Sequence, residues 1–348
     1  MRCEKMGELQ RVFRNVDRIV ESGLNKIYPG CVVLIARPGE ILYKNAYGTL
    51  DFERKTKIDT IYDLASVTKV VATTTAVMKL FADGFLHLSD TAGRFLNVEK
   101  PKGDITIFQF LTHTSGMQPY SDLWRFLNGR ELLEEIIRIQ PVSEPGKRIV
   151  YSCLNFITLM AIVEKVVEMP FDKFVYGIFD SLGMKITRFS PGFHENIAPT
   201  SIRDGKRLIG MPDDELAYYM GGVSGNAGLF SSVEDLYIFM DSLLSGKIVP
   251  MNVVSLFTQK IVEVGEGKRH IGWMCPTSGT SSGDMLSEKA FGHSGFTGTT
   301  IWCREDGLFV IFLTNKGFIK RHEDEITRIR ILLHNAVFGG IECTGPIF

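Results

Sequence analysis

Sixteen consecutive residues, 66–81, contain no glycine, no proline and only two charges, Lys69 and Lys79. The run is too long for an ordinary strand. With Val70, Val71, Thr73, Thr74, Thr75 and Val77 in it, it is also too rich in β-branched residues for a solvent-exposed helix. A helix buried in the core is expected, closed by Gly84, with the rest of the chain laid around it. It begins Ser66-Val67-Thr68-Lys69, so a hydroxyl and an amine three residues apart share one face of the first turn.

The chain has 348 residues, enough for roughly two domains of ~150 residues. Upstream of the buried run, Leu9, Val12, Phe13, Val16, Ile19 and Val20 have the spacing of an amphipathic helix over residues 7–24, broken by Pro29-Gly30. Residues 31–36 and 41–47 read as a hairpin around Pro38-Gly39, ended by Gly48. Residues 85–220 carry helical patterns at 108–113, 131–140, 155–168 and 172–182. A helix over 233–244, capped by Ser231 or Ser232, follows. The period then shortens to strands at 269–274, 299–304 and 308–315, the last two joined by the turn Glu305-Asp306-Gly307. A helix over 325–337 comes last. The expected fold is α+β: an antiparallel sheet flanked by helices, with an inserted mostly helical domain. Residues 1–84 and 221–348 would form one discontinuous domain and residues 85–220 the insertion.

A formal net charge of −1 gives no electrostatic case for binding nucleic acid or an acidic membrane. No apolar run approaches the ~18 residues of a membrane span, and the N-terminal region lacks the apolar core of a signal peptide. Cys3, Cys31, Cys153, Cys275, Cys303 and Cys343 are scattered with no C-x-x-C pair, which argues against a zinc site or a disulfide scaffold. The expectation is a cytoplasmic protein with reduced thiols and neither metal nor cofactor.

A serine hydroxyl needs an adjacent base before it can attack a carbonyl. Ser66 and Lys69 form the only S-x-x-K in the chain, and the apolar surroundings would pull the lysine toward its neutral, proton-accepting form. Tyr151, after Pro145-Gly146, supplies a phenol that could shuttle a proton. His293-Ser294-Gly295, within Gly292–Thr299, reads as the opening of a strand whose glycine lets a substrate approach closely. The N–H groups of Ser66 and Phe296 would face a developing oxyanion. His113 and His270 read as structural, and His87, His194, His322 and His334 need no function. Ser224-Gly225-Asn226 fits no nucleophile motif. Gly279-Thr280-Ser281-Ser282-Gly283 matches G-x-S-x-G but lacks the strand and helix of a nucleophile elbow; the loop over 277–283 is a candidate mobile segment. A Cys153–His293 nucleophile pair is set aside in favour of the Ser-Lys framework.

In this order the motifs resemble the serine β-lactamase and penicillin-binding-protein superfamily, in particular its class C-like branch of esterases, D-aminopeptidases and D-Ala-D-Ala carboxypeptidases. The resemblance runs over roughly residues 10–338. It includes Leu111-Thr112-His113-Thr114-Ser115-Gly116, the run from Gly228 through Leu236, and that from His293 through Trp302. It implies a β-lactamase/transpeptidase-like fold, Ser66 as acylated nucleophile, Lys69 as its activator and Tyr151 as general acid/base. His293, Ser294, Gly295 and Phe296 would line the substrate edge. Two positions depart from the family pattern. Cys153 stands where an asparagine or aspartate usually follows the tyrosine by two residues, and it cannot hold a substrate amide as asparagine does. His293 stands where a lysine often pairs with a substrate carboxylate, and it would be a weaker, pH-dependent substitute. Both favour small-molecule esters over amides or β-lactams, with a β-lactamase, a D-amino-acid peptidase and a non-hydrolytic binder as alternatives. Phe193, Tyr218, Tyr219 and Trp273 are candidate walls of the pocket.

Overall fold

The computed structural model describes residues 2–277, 280–319, 324–345 and 347. Helix α1 (Arg2–Glu21) leads into the hairpin of β1 (Gly30–Arg37) and β2 (Glu40–Gly48), and the two-residue β3 (Tyr62–Asp63) precedes the Ser66 segment. That segment is a 3-10 turn, Ala65–Val67, then a π-helical stretch, Lys69–Thr74, and only then α2 (Thr75–Ala82). Helices α3 (Ala92–Phe95), α4 (Ile107–Leu111), α5 (Gly129–Arg138), α6 (Cys153–Val167) and α7 (Phe171–Leu182) follow. Next come β4 (Arg188–Phe189), the small hairpin of β5 (Ile202–Arg203) and β6 (Lys206–Arg207), α8 (Glu215–Tyr219), β7 (Leu229–Ser231), α9 (Val233–Leu244) and α10 (Met251–Gln259). The hairpin of β8 (Val262–Val264) and β9 (Gly267–Arg269) leads to β10 (Phe291–Ser294), β11 (Thr300–Cys303), β12 (Phe309–Thr314) and α11 (Asp324–Gly340).

The main sheet runs β10-β11-β12-β1-β2, antiparallel throughout, so the first strands of the chain pair with the last. Alternation along β1 and β12 divides the core. Cys31, Val33, Ile35, Val310 and Phe312 point to a layer closed by Val12, Val16 and Val20 of α1 and Ile326, Ile329 and Leu333 of α11. Val32, Leu34, Ile311 and Leu313 point the other way, toward Leu236 and Phe239 of α9, Val70 and Val71, and α6. Each such side chain contributes about 1.5–3 kcal/mol on burial. Alpha6 is buried from Cys153 through Val163 and forms the centre of the helical layer, touching α4, α5 and α7. Ser232 caps α9 by accepting from the Asp235 N–H, one of the two caps the sequence offers.

Three expectations change. The stretch 269–274 is not a strand: β9 ends at Arg269, and Gly272 takes φ +82° where an added Cβ would lie 2.4 Å from Thr74 Oγ1. The His293-Ser294 pair closes β10 instead of opening a strand. The run after Ser66 is helical but not uniformly α. Its π-helical stretch, a feature found often at functional sites, separates Lys69 from α2. Unforeseen elements are α10 and the small sheet β3-β7-β4, whose strands are too short to show a period. No helix among the described residues is long and apolar enough to cross a membrane. His322 lies outside the described residues, as do Ser278 and Gly279 of the 277–283 loop.

Candidate active site

The nucleophile turn is held from three directions. Ala65 has φ +46°, a conformation that costs a non-glycine residue about 1–3 kcal/mol. Its N–H donates to Asp63 Oδ1 at 2.8 Å, and Leu64 N–H donates to Leu229 O of β7 at 2.9 Å. From the other side Thr297 and Thr299 hydroxyls donate to Asp63 O (2.8 Å) and Leu64 O (3.0 Å). The second carboxylate oxygen of Asp63 accepts from Asp213 N–H at 2.9 Å, and burial lifts this acid to about 7. In a 3-10 turn residues i and i+3 nearly eclipse, and Lys69 Nζ accordingly reaches Ser66 Oγ at 3.1 Å.

Lys69 is completely buried and also donates to Asn226 O (2.9 Å) and toward Cys153 Sγ (3.6 Å). Its Nζ lies 4.9 Å from the centre of the Tyr151 ring. The expected fall in its pKa does not occur. Burial pulls the pKa down, but attraction to Cys153, Tyr151 and Asp214 outweighs it and the amine is held above its ordinary value. Tyr151 is likewise raised, since burial outweighs the pull of Lys69. The resting pair is therefore an ammonium beside a neutral phenol. The Tyr151 ring is partly open to the cleft, and its centre lies 4.7 Å from that of the His113 ring, the two planes tilted by 36°. His113 Nδ1 accepts from Ser152 N–H at 3.0 Å, which places the proton on Nε2 and fixes the turn between Tyr151 and α6. The structural reading of His113 thus becomes a supporting one directly beneath the phenol.

The His293 motif departs further from expectation. His293 is 1% exposed, and burial together with the charges of Arg269 and Lys69 holds its pKa well below the usual value. It is neutral and cannot serve as a pH-dependent cation. Ser294 Oγ pairs with Ser281 Oγ (2.6 Å) and Thr300 Oγ1 (3.2 Å). Gly295 was expected to admit substrate, but the protein itself takes that space. A Cβ there would lie 2.5 Å from Leu64 O and 3.2 Å from Ala65 Cβ. Gly295→Ala is therefore expected to push β10 and the nucleophile turn apart, costing about 1–3 kcal/mol of stability as overpacking does. A displacement approaching 1 Å costs on the order of 100-fold in rate. Thermal unfolding together with kcat/KM tests this, and wild-type values for both would refute the packing argument. Gly295 and Gly298 N–H groups close the turn by donating to Thr299 O and Gly295 O, leaving Phe296 N–H outside that pattern.

Two cavities meet at Ser66. One, of about 260 Å³, is lined by Ala65, Ser66, Tyr120, Cys153, Asp213, Asp214, Glu215, Ala227 and Phe296. The other, of about 450 Å³, includes Ser66, Tyr151, Arg269, Ser281, His293, Ser294, Gly295 and Phe296. Every candidate site residue of the sequence thus borders the cleft except Lys69, which lies beneath it. The proposed walls do not. Trp273 is buried against Phe291, Phe193 is 77% exposed, and Tyr218 and Tyr219 on α8 pack with Arg203 and Trp124. Sequence reasoning missed Asp63, Asp214, Asn226 and Arg269, none of which sits in a motif by itself. Asn226 belongs to the Ser224-Gly225-Asn226 segment that was set aside. Its carbonyl holds Lys69, and its side-chain amide donates to Asp214 Oδ1 at 3.1 Å.

Comparison with known proteins gives a family and a fold. A family model described as Beta-lactamase matches residues 16–334. A protein of Escherichia coli K12 named "Putative D-alanyl-D-alanine carboxypeptidase" is 30% identical over 90% of this chain and 84% of its own length. A Salmonella typhimurium protein of the same name is 28% identical over 85% of this chain and 80% of its own. Among solved structures, the octameric penicillin-binding protein homologue from Pyrococcus abyssi superposes with a TM-score of 0.76 at 23% identity, over 94% of this chain and 77% of that one. EstCE1, described as a hydrolase with promiscuous acyltransferase activity, gives 0.73 at 21%, over 95% and 99%. At these identities the two structures speak to the fold.

Proposed function

The chain belongs to the β-lactamase family and is a serine hydrolase, and from that premise we propose that it cleaves small ester or amide substrates through an acyl-enzyme on Ser66, with esters favoured. The observation that carries the reading is the Lys69 Nζ–Ser66 Oγ hydrogen bond of 3.1 Å beside the Tyr151 ring. Tyr151, as phenolate stabilised by Lys69, takes the Ser66 proton while Oγ attacks the substrate carbonyl. The N–H groups of Ser66 and Phe296 receive the oxyanion, each such donor being worth on the order of 10²–10³ in rate. Tyr151 then returns the proton to the departing oxygen or nitrogen as the C–O or C–N bond breaks. Water repeats the sequence on the acyl-enzyme. Cys153 supports esters, because its thiol cannot supply the two-sided amide contact that an asparagine makes. The amide reading draws its support from the names of the E. coli and Salmonella relatives.

Intact-mass detection of an acyl adduct during p-nitrophenyl acetate turnover tests the mechanism. Parallel rates on a D-alanyl p-nitroanilide and a chromogenic cephalosporin rank the substrate classes. A long-lived stoichiometric adduct without product would favour the binding-protein alternative, and faster anilide than ester turnover would reverse the ranking.

The protonation pattern gives an expected pH profile. Tyr151 and Lys69 both have raised folded-state pKa values, so the reactive, singly deprotonated pair is a minority form at neutral pH and grows as pH rises. The acylation rate should climb with a slope near one logarithm per pH unit and still be climbing above pH 8. Asp63, at about 7, and the buried histidines His113 and His293, held far lower, finish titrating before that. A plateau reached by pH 7.5 would contradict the assignment of Tyr151 as the base.

A further inference from the structure

The peptide unit that carries the Phe296 N–H also carries the Gly295 carbonyl, and the protein holds that unit by its oxygen. The unit is trans, so its C=O and N–H point in opposite directions within one plane. Fixing the oxygen therefore aims the N–H. Arg330 of α11 donates from Nη2 to Gly295 O and to Thr299 O (3.1 Å), and from Nε to Gly298 O (3.1 Å). One guanidinium thus ties together the turn between β10 and β11, the same turn whose Thr297 and Thr299 hydroxyls clamp the nucleophile turn.

Arg330 is itself firmly placed. It is 5% exposed, and Ile326 and Leu333, which share its face of the helix, are fully buried in the core. Its charge makes the bonds to the carbonyls charge-assisted, and the planar guanidinium fixes their directions. A charged donor on a carbonyl also polarises the amide, which makes the N–H at the other end a stronger donor. Gly295 increases the need for such a hold, because a residue without Cβ lets the adjoining peptide plane rotate at little steric cost.

We propose that Arg330 is a positioning residue for acyl transfer: through the Gly295 carbonyl it aims and polarises the Phe296 N–H before charge develops on the substrate oxygen. This role rests on the acyl-transfer reading of Ser66, in which Phe296 N–H receives the oxyanion, and it names what prepares that donor. Gly298 N–H also donates to Gly295 O, at 3.1 Å, and keeps part of the hold when the arginine is removed. Loss of Arg330 is therefore expected to cost about 10–100-fold in kcat, less than the 10²–10³ of deleting an oxyanion donor outright.

The test uses p-nitrophenyl acetate kinetics together with two ketones as competitive inhibitors. Trifluoromethyl phenyl ketone accepts Ser66 Oγ at its carbonyl carbon. The carbonyl electron pair moves onto oxygen as an oxyanion, and the serine proton passes to Tyr151. Methyl phenyl ketone, which resists that addition, reports ground-state binding. In Arg330→Gln, kcat and affinity for the trifluoromethyl ketone should fall by the same factor, with KM and affinity for the methyl ketone unchanged. Arg330→Lys keeps the charge but serves fewer of the three carbonyls, so its losses should be smaller and in the same proportion. It also decides the matter where the glutamine variant does not fold. Trifluoromethyl ketone affinity within about threefold of wild type while kcat is lost overturns the proposal, as does an equal loss for both ketones.

A measurement on wild type separates this proposal from its premise. Isotope labels on glycine carbonyl carbon and phenylalanine nitrogen single out the Gly-Phe peptides at 84–85, 192–193, 295–296 and 317–318, and Phe296→Leu identifies the relevant signal. The Phe296 amide proton should move downfield when the trifluoromethyl ketone binds, and move less in the Arg330 variants. No Ser66 adduct in wild type would sink the acyl-transfer reading. An adduct that leaves the Phe296 signal unmoved would remove Phe296 from the oxyanion hole and the proposed role of Arg330 with it. A full shift in the Arg330 variants would overturn the Arg330 role alone.

Discussion

Ser66→Ala is expected to eliminate the acyl adduct and to lower ester turnover by on the order of 10⁴–10⁶-fold, the loss seen when the nucleophile of a serine hydrolase is removed. The fold should survive the change. The hydroxyl makes its hydrogen bond to Lys69, while the turn is held by Asp63, Leu229, Thr297 and Thr299 acting on the residues before Ser66. Alanine is also as compatible as serine with a 3-10 turn. The measurement is intact mass after incubation with p-nitrophenyl acetate, with peptide mapping of any label. Undiminished labelling in the alanine variant would exclude Ser66. Its location would then be informative, because Cys153 lines the same cavity and is the next nucleophile at hand, although burial raises its pKa.

Lys69→Met should lower acylation by about 10²–10⁴-fold, the usual contribution of a positioned proton-transfer group, and should also cost thermal stability. The raised folded-state pKa of Lys69 means that the fold favours the ammonium, so its removal forfeits that contribution, and the Asn226 carbonyl loses a donor, at about 1–3 kcal/mol if no water replaces it. A catalytic lysine predicts a kinetic loss that persists in kcat/KM measured well below the variant's Tm. If activity is lost only where the variant unfolds, Lys69 is chiefly a structural post. If activity remains within tenfold, Tyr151 does not depend on the ammonium for its proton transfers.

Much of the architecture could be read from periodicity and punctuation. The Pro38-Gly39 hairpin, the Ser232 cap and the Glu305-Asp306-Gly307 turn each depend on chemistry within a few residues, and each stands where expected. Ser66 and Lys69 could be paired because only two residues lie between them, and the fold brings both to the Tyr151 ring. What escaped notice depends on partners far along the chain. Asp63 matters because Asp213, 150 positions later, and Ala65 both donate to it. The protonation of Lys69 could not be foreseen from its apolar neighbours in sequence, since Cys153, Tyr151 and Asp214 decide it. Arg269 sits in a hairpin that reads as an ordinary polar turn, Gly265-Glu266-Gly267 with Lys268, and only its burial distinguishes it. Gly295 was singled out correctly as a close approach, but its neighbour is the nucleophile turn.

The strand order β10-β11-β12-β1-β2 also has a consequence for how the molecule comes into being on the ribosome. Beta1 is buried on both faces between β2 and β12, yet its partner from Phe309 onward is synthesised some 270 residues later, a delay of roughly 15–55 s at ~5–20 residues per second. Throughout that interval the hairpin of β1 and β2 presents an unpaired edge, which is a template for association with other chains. Catalytic competence waits as well, since the clamps from Thr297 and Thr299 on the nucleophile turn emerge just before β12. Chains stopped short of β12 are therefore expected to be both inactive and adhesive, and pairing of β12 with β1 closes that edge.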